Sequence, residues 1–66
     1  MDPKYPDIFV QLTGEPGNAF YIIGAVAKAL RRAKVDKAEI DAFQKEATSG
    51  DYDHVLVTAM KWVTVN

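Results

Sequence analysis

Sixty-six residues, 26% charged and 48% apolar with a mean hydropathy of -0.13, describe one small globular domain over residues 1–66 and argue against disordered, collagen-like or coiled-coil classes. Eight Lys+Arg against nine Asp+Glu leave a formal charge of -1, which is not the balance of a general polyanion binder. The chain has no cysteine, which excludes a disulfide framework, a Cys-based zinc site, an iron–sulfur cluster and a Cys nucleophile.

Residues 1–6 read as a loosely ordered lead-in, because Pro3 and Pro6 both lack an amide donor. This stretch does not have the basic-then-apolar layout of a signal peptide. The longest apolar run, Ala19 to Ala27, falls well short of the roughly 20 residues of a membrane span. A domain this small and without disulfide staples is expected in the cytoplasm, with no membrane partner.

Asp7 to Thr13 reads as a strand, with Ile8, Val10 and Leu12 on the inner face and Tyr5, Phe9 and Gln11 on the outer. Gly14-Glu15-Pro16-Gly17 is a turn, and Asn18 is a suitable N-cap for the helix that follows. From Ala19 to Ala33 the spacing is helical, with Phe20, Ile23, Ala27 and Leu30 as the apolar stripe, widened by Ile22 and Val26. Gly24 costs this helix about 1 kcal/mol against alanine, so the expectation is close approach by another element.

Asp36 opens a second helix, with Glu39 at capping-box spacing and Ile40, Phe43 and Ala47 facing inward. Thr48-Ser49-Gly50 ends it, with Gly50 in the C′ role. The last segment has two readings. Val55, Leu56, Ala59, Met60 and Val63 fit a helix face, yet six of the eleven residues from Val55 to Val65 are Val or Thr, which suits a strand. The preferred reading is a helix from Asp53 to Trp62, followed by a strand Val63-Thr64-Val65 paired with Ile8–Leu12. The fold is then α+β: three short helices on a two-stranded sheet built from the N- and C-terminal strands, the first of which keeps a free edge. The alternative is β-α-α-β with residues 55–65 as one long strand.

The strings Val10-Gln11-Leu12-Thr13-Gly14-Glu15-Pro16-Gly17-Asn18-Ala19-Phe20, Ala29-Leu30-Arg31-Arg32-Ala33 and Ala47-Thr48-Ser49-Gly50-Asp51-Tyr52-Asp53-His54 carry a resemblance that covers nearly the whole chain. The chain resembles a group of small bacterial and phage-borne proteins with a VQLTG-x-x-GNAF opening and a TSGDYDH segment. No activity is assigned to that group, so the resemblance supplies no catalytic residue. Carriage on phages or mobile elements implies a protein that binds and modulates a host component.

Three clusters invite a chemical reading. Asp51, Asp53 and His54 offer two carboxylates and an imidazole, suited to a metal or to acid–base work. One His and no Cys fall short of a catalytic zinc ligand set, and Asp after Gly50 is ordinary N-cap chemistry, so helix capping is the stronger account. The loop Gly14–Asn18 runs into a helix N-terminus, where free amides bind anions, but it lacks the glycine and lysine spacing of a phosphate loop and carries Glu15. Lys28, Arg31, Arg32, Lys34 and Lys37 stand against Asp36 alone, a block of +4, followed over residues 39–53 by a block of -4. Lys28, Arg31 and Arg32 share a helix face by their spacing. A solvated helix C-terminus accounts for them, and weak nucleic-acid binding is the functional alternative.

Most aromatic residues are expected in the core, with Phe9 and Tyr21 as exceptions. The sequence therefore points to a non-enzymatic protein-interaction module with no cofactor, metal or catalytic residue. Its contact candidates are Phe9, Tyr5, Gln11 and Tyr21, and its partner is another protein or a second copy in a homodimer. The alternative is a nucleic-acid binder using Lys28, Arg31 and Arg32.

Overall fold

Helical periodicity covers most of the chain, and short β-branched runs lie near its two ends; the structure follows that division. The computed structural model describes residues 3–11 and 19–65. Strand β1 (Tyr5–Val10) is followed by helices α1 (Ala19–Arg32), α2 (Lys37–Ala47) and α3 (Tyr52–Trp62) and by strand β2 (Val63–Val65). The two strands form a parallel two-stranded sheet, so all three helices lie in the crossover between them. This is the α+β arrangement of three helices on a terminal-strand sheet. The alternative with one long strand over residues 55–65 is overturned, because Val55 to Trp62 is helix. The Val/Thr content of that segment is outweighed by an apolar stripe, Val55, Ala59 and Trp62, that recurs at helical steps.

The buried face of α1 is Ile22, Val26, Ala27 and Leu30, with Ile23 packed at its margin. Phe20, expected in the stripe, is 83% exposed, since the buried line runs Ile22–Val26–Leu30 and leaves the first turn outside it. Helix α2 buries Ile40, Phe43 and Ala47, as its spacing predicts. Helix α3 buries Val55, Thr58, Ala59 and Trp62. Met60 is exposed, so the stripe lies slightly off the expected line and takes in a threonine that a purely apolar pattern passes over. Phe43 meets Trp62 edge-on at 5.7 Å and 71°, a favoured aromatic geometry at the centre of the core.

The helix ends correct several expectations. Helix α1 closes on Lys34, whose φ is 63°. The Lys34 amide donates to Arg31 O and the Val35 amide to Leu30 O, the two bonds of a Schellman motif with a lysine where glycine is favoured. Asp36 is the N-cap of α2, but its side chain makes no capping bond, and Glu39 reaches across to β1 instead of back to the cap. Gly50 is not in a left-handed conformation. A Cβ there would lie 2.8 Å from the His54 ring, so glycine admits the imidazole. A Cβ on Gly24 would meet nothing within 4 Å, which overturns the expected close approach.

Strand β1 begins at Tyr5 rather than Asp7, so residues 5 and 6 belong to the sheet and not to a loose lead-in. Lys4 is tied in as well, its amide donating to Lys61 O at 2.8 Å. Tyr5 pairs with Val63, but the next pair is Phe9 with Thr64, so three residues of β1 bulge between consecutive residues of β2. Pro6 has no amide to give the ladder, and its carbonyl accepts from the Thr64 hydroxyl at 2.8 Å. Val10 is buried and Ile8 half-buried, as expected of the inner face. The expectations for Leu12, Thr13, the Gly14–Gly17 turn and the Asn18 cap lie outside the described residues.

Candidate interaction site

Strand β1 has β2 on one side and no strand partner on the other among the described residues. A groove of about 500 Å3 follows that second side. Its near wall is the consecutive run Asp7 to Gln11, of which Asp7 to Val10 belong to β1. Phe9 and Val10, which follow the bulge and point to opposite faces, both touch the groove, so its wall includes the backbone edge of the strand. No residue of β2 lines it. The opposite wall is α1, through Ala25, Ala29, Lys28 and Arg32, and the two alanines leave room between helix and strand.

A second hollow continues the groove toward the start of β1, sharing Asp7, Ile8 and Ala33 with the first. It passes Tyr5 and Pro6 on the strand and ends against Lys34 and Val35. The start of β1 thus faces the end of α1, and strand and helix run in opposite directions along the groove. Lys28, Arg32 and Lys34 line the helix side, and none of them is in an ion pair with a described residue.

The near end of the groove is held by a polar cluster. The Tyr5 hydroxyl donates to Glu39 Oε1 at 2.9 Å, and the Lys4 ammonium pairs with the same oxygen. Lys4 Nζ also lies 4.6 Å from the centroid of the Trp62 ring, and the Tyr5 ring stacks on that indole at 6.1 Å. The hydrogen bond from Lys4, then that from Tyr5, holds the Glu39 carboxyl below the usual carboxylate range. The same carboxylate raises the Lys4 ammonium above its ordinary value. Tyr5 is raised too, first by burial and then by its bond to Glu39.

Of the contact candidates, Phe9 is 64% exposed and lines the groove with Gln11. Tyr5 does not share Phe9's outward face, because the bulge between them resets the alternation and turns Tyr5 onto Trp62. Tyr21 is partly exposed on α1 and does not line the groove. Of the basic candidates, Lys28 and Arg32 line the groove and Arg31 does not.

The Asp51–His54 cluster is occupied by helix-end bonding. Asp51 Oδ1 accepts from the His54 amide at 3.0 Å, capping α3. His54 Nε2 lies 2.9 Å from Glu46 O and 3.1 Å from Ser49 Oγ. A carbonyl only accepts, so Nε2 carries the proton in this arrangement. No group of three or more His, Cys, Asp or Glu able to hold a metal occurs among the described residues. No helix among them is long and apolar enough to cross a membrane.

Sequence reasoning does not reach the Lys4–Tyr5–Glu39–Trp62 cluster, which joins three elements far apart in the chain. The alanines at four-residue steps in α1 signal a close neighbour without saying which. Comparison with protein-family models, with curated proteins and with solved structures finds no match to this chain.

Proposed function

We propose that this protein is a non-enzymatic interaction module that engages another protein through the unpaired edge of β1 and the side chain of Phe9. The observation that carries the reading is the groove along that edge, with Phe9 64% exposed on its wall. An unpaired strand edge offers backbone donors and acceptors to an incoming extended segment, and an exposed aromatic beside it supplies apolar contact area. The likeness to phage-borne proteins belongs with this reading, in which the partner is a host component and the setting is the cytoplasm.

The test is affinity capture from a cell lysate after nuclease treatment, comparing the wild type with Phe9→Ser. Proteins retained by the wild type and lost by a variant of unchanged circular dichroism support the reading. Equal capture by both chains overturns it. A second reading, weak nucleic-acid binding, draws on Lys28 and Arg32 beside Phe9 in the same groove. It requires capture that disappears with nuclease and binding that falls steeply with salt.

A further inference from the structure

The groove has a sign of charge and a repeat distance, and together they select its occupant. We infer that it takes an extended peptide segment with acidic residues at alternate positions, added as a third strand to the free edge of β1. This rests on the interaction-module reading and names the partner's chemistry.

Charge is the first ground. Lys28, Arg32 and Lys34 line the groove, unpaired by any described acid, and Asp7 is the carboxylate on its wall. The chain as a whole carries -1, so this positive strip is local and not a reflection of overall composition.

The second ground is Lys34 itself. Its φ of 63° is a conformation that glycine adopts freely and lysine adopts at a cost. The strained position thus holds a cation on the wall of the second hollow, and strained backbone is often found at binding surfaces.

Spacing is the third. Lys28 and Arg32 are four residues apart on a helix, which separates them by about 6 Å along the groove. Alternate residues of an extended strand are about 6.6 Å apart. A strand laid along β1 therefore presents every second side chain toward α1 at nearly the interval of these two cations, and Lys34 adds positive charge at the end of α1. Side chains at the intervening positions project to the other face of the added strand.

Two other occupants fit less well. A second copy joined edge to edge brings its own Lys28, Arg32 and Lys34 against the first set, and like charges repel. A single-stranded nucleic acid stacks its bases on successive aromatics, whereas Phe9 is the one aromatic among the residues that line the first hollow and Asp7 repels phosphate.

The experiment titrates the full chain with three fluorescent peptides of about ten residues, roughly 33 Å extended: alternating Glu-Val, alternating Thr-Val and alternating Lys-Val. An oligothymidylate is the fourth probe, and light scattering follows self-association. The expected result is about tenfold tighter binding of the Glu-Val peptide than of the Thr-Val peptide, with amide shifts along residues 5–11 and 25–35. The exposed double substitution Lys28→Glu/Arg32→Glu should remove that preference and admit the Lys-Val peptide while leaving circular dichroism unchanged. Equal binding of the Glu-Val and Thr-Val peptides overturns the acidic specificity and leaves the strand-edge reading standing. Binding of no peptide overturns both. Tighter binding of oligothymidylate than of the Glu-Val peptide, or a peptide-free rise in mass with concentration, replaces the acidic segment by nucleic acid or by a second copy.

Discussion

The Tyr5 hydroxyl and Glu39 Oε1 are 2.9 Å apart, although 34 residues of chain separate them. Lys4 shares the same carboxylate oxygen. The contact fastens the start of β1 to α2, an element with which it shares no sheet pairing.

This clamp gives stability a defined pH window. The Glu39 carboxyl is lowered in the folded state, so its contribution is present above the unfolded value and is lost as pH falls through the folded one. Lys4 and Tyr5 are raised, so theirs is present below their unfolded values and is lost as pH rises past them. Urea midpoints followed through the fluorescence of Trp62 should fall below about pH 4 and again above about pH 10. Glu39→Gln should flatten the acid limb. An unchanged acid limb in that variant would remove Glu39 from the account.

Thr58 is fully buried on α3, and its hydroxyl has no hydrogen-bond partner among the described residues. An unmet buried hydroxyl costs about 1–3 kcal/mol. Thr58→Val keeps the branched shape and removes the polar atom, so it should raise stability by about 1 kcal/mol. Urea unfolding checks this, and a loss of stability would mean that the hydroxyl has a water partner.

Gly24 and Gly50 should respond in opposite directions to alanine. Space around Gly24 is open, so Gly24→Ala recovers about 1 kcal/mol of helix propensity. At Gly50 the added carbon would fall 2.8 Å from the imidazole of His54, displacing the ring from Glu46 O and Ser49. Gly50→Ala should therefore destabilise, and its effect should largely vanish in a His54→Ala background, a double-mutant cycle that isolates the clash.

Lys34→Gly separates stability from recognition. Glycine relieves the left-handed backbone at the end of α1, a gain of up to about 1 kcal/mol after the greater freedom of the unfolded chain is set against it. The same change removes a groove cation, so thermal stability should rise while affinity for the acidic peptide falls. A variant that binds as tightly as the wild type would show that Lys34 serves only the turn.

Much of the architecture is legible because two segments carry a local signal of their own. Ile40, Phe43 and Ala47 specify the inner face of α2 by spacing alone. Val63-Thr64-Val65 is short, β-branched and placed directly after a helix, and it forms the second strand. What stayed hidden depends on pairs of elements. Simple alternation groups Tyr5 with Phe9, whereas the bulge that separates them follows from how β1 meets β2. The helical spacing admits Phe20 to the core because a stripe can be drawn on either of two neighbouring lines, and only packing decides between them. The site was half legible: Phe9, Gln11, Lys28 and Arg32 were each worth suspecting, but their meeting in one groove depends on α1 lying along β1.

The parallel pairing of β1 with β2 has a bearing on when the surface exists. The strand that forms the groove wall finds its sheet partner only in Val63–Val65, on the far side of the entire helical segment. Contacts at such sequence distance carry a large closure entropy and form once local helices have restricted the chain. A molecule frayed at β2 leaves β1 without its neighbour, so the strand wall of the groove depends on the few hydrogen bonds of a three-residue partner strand.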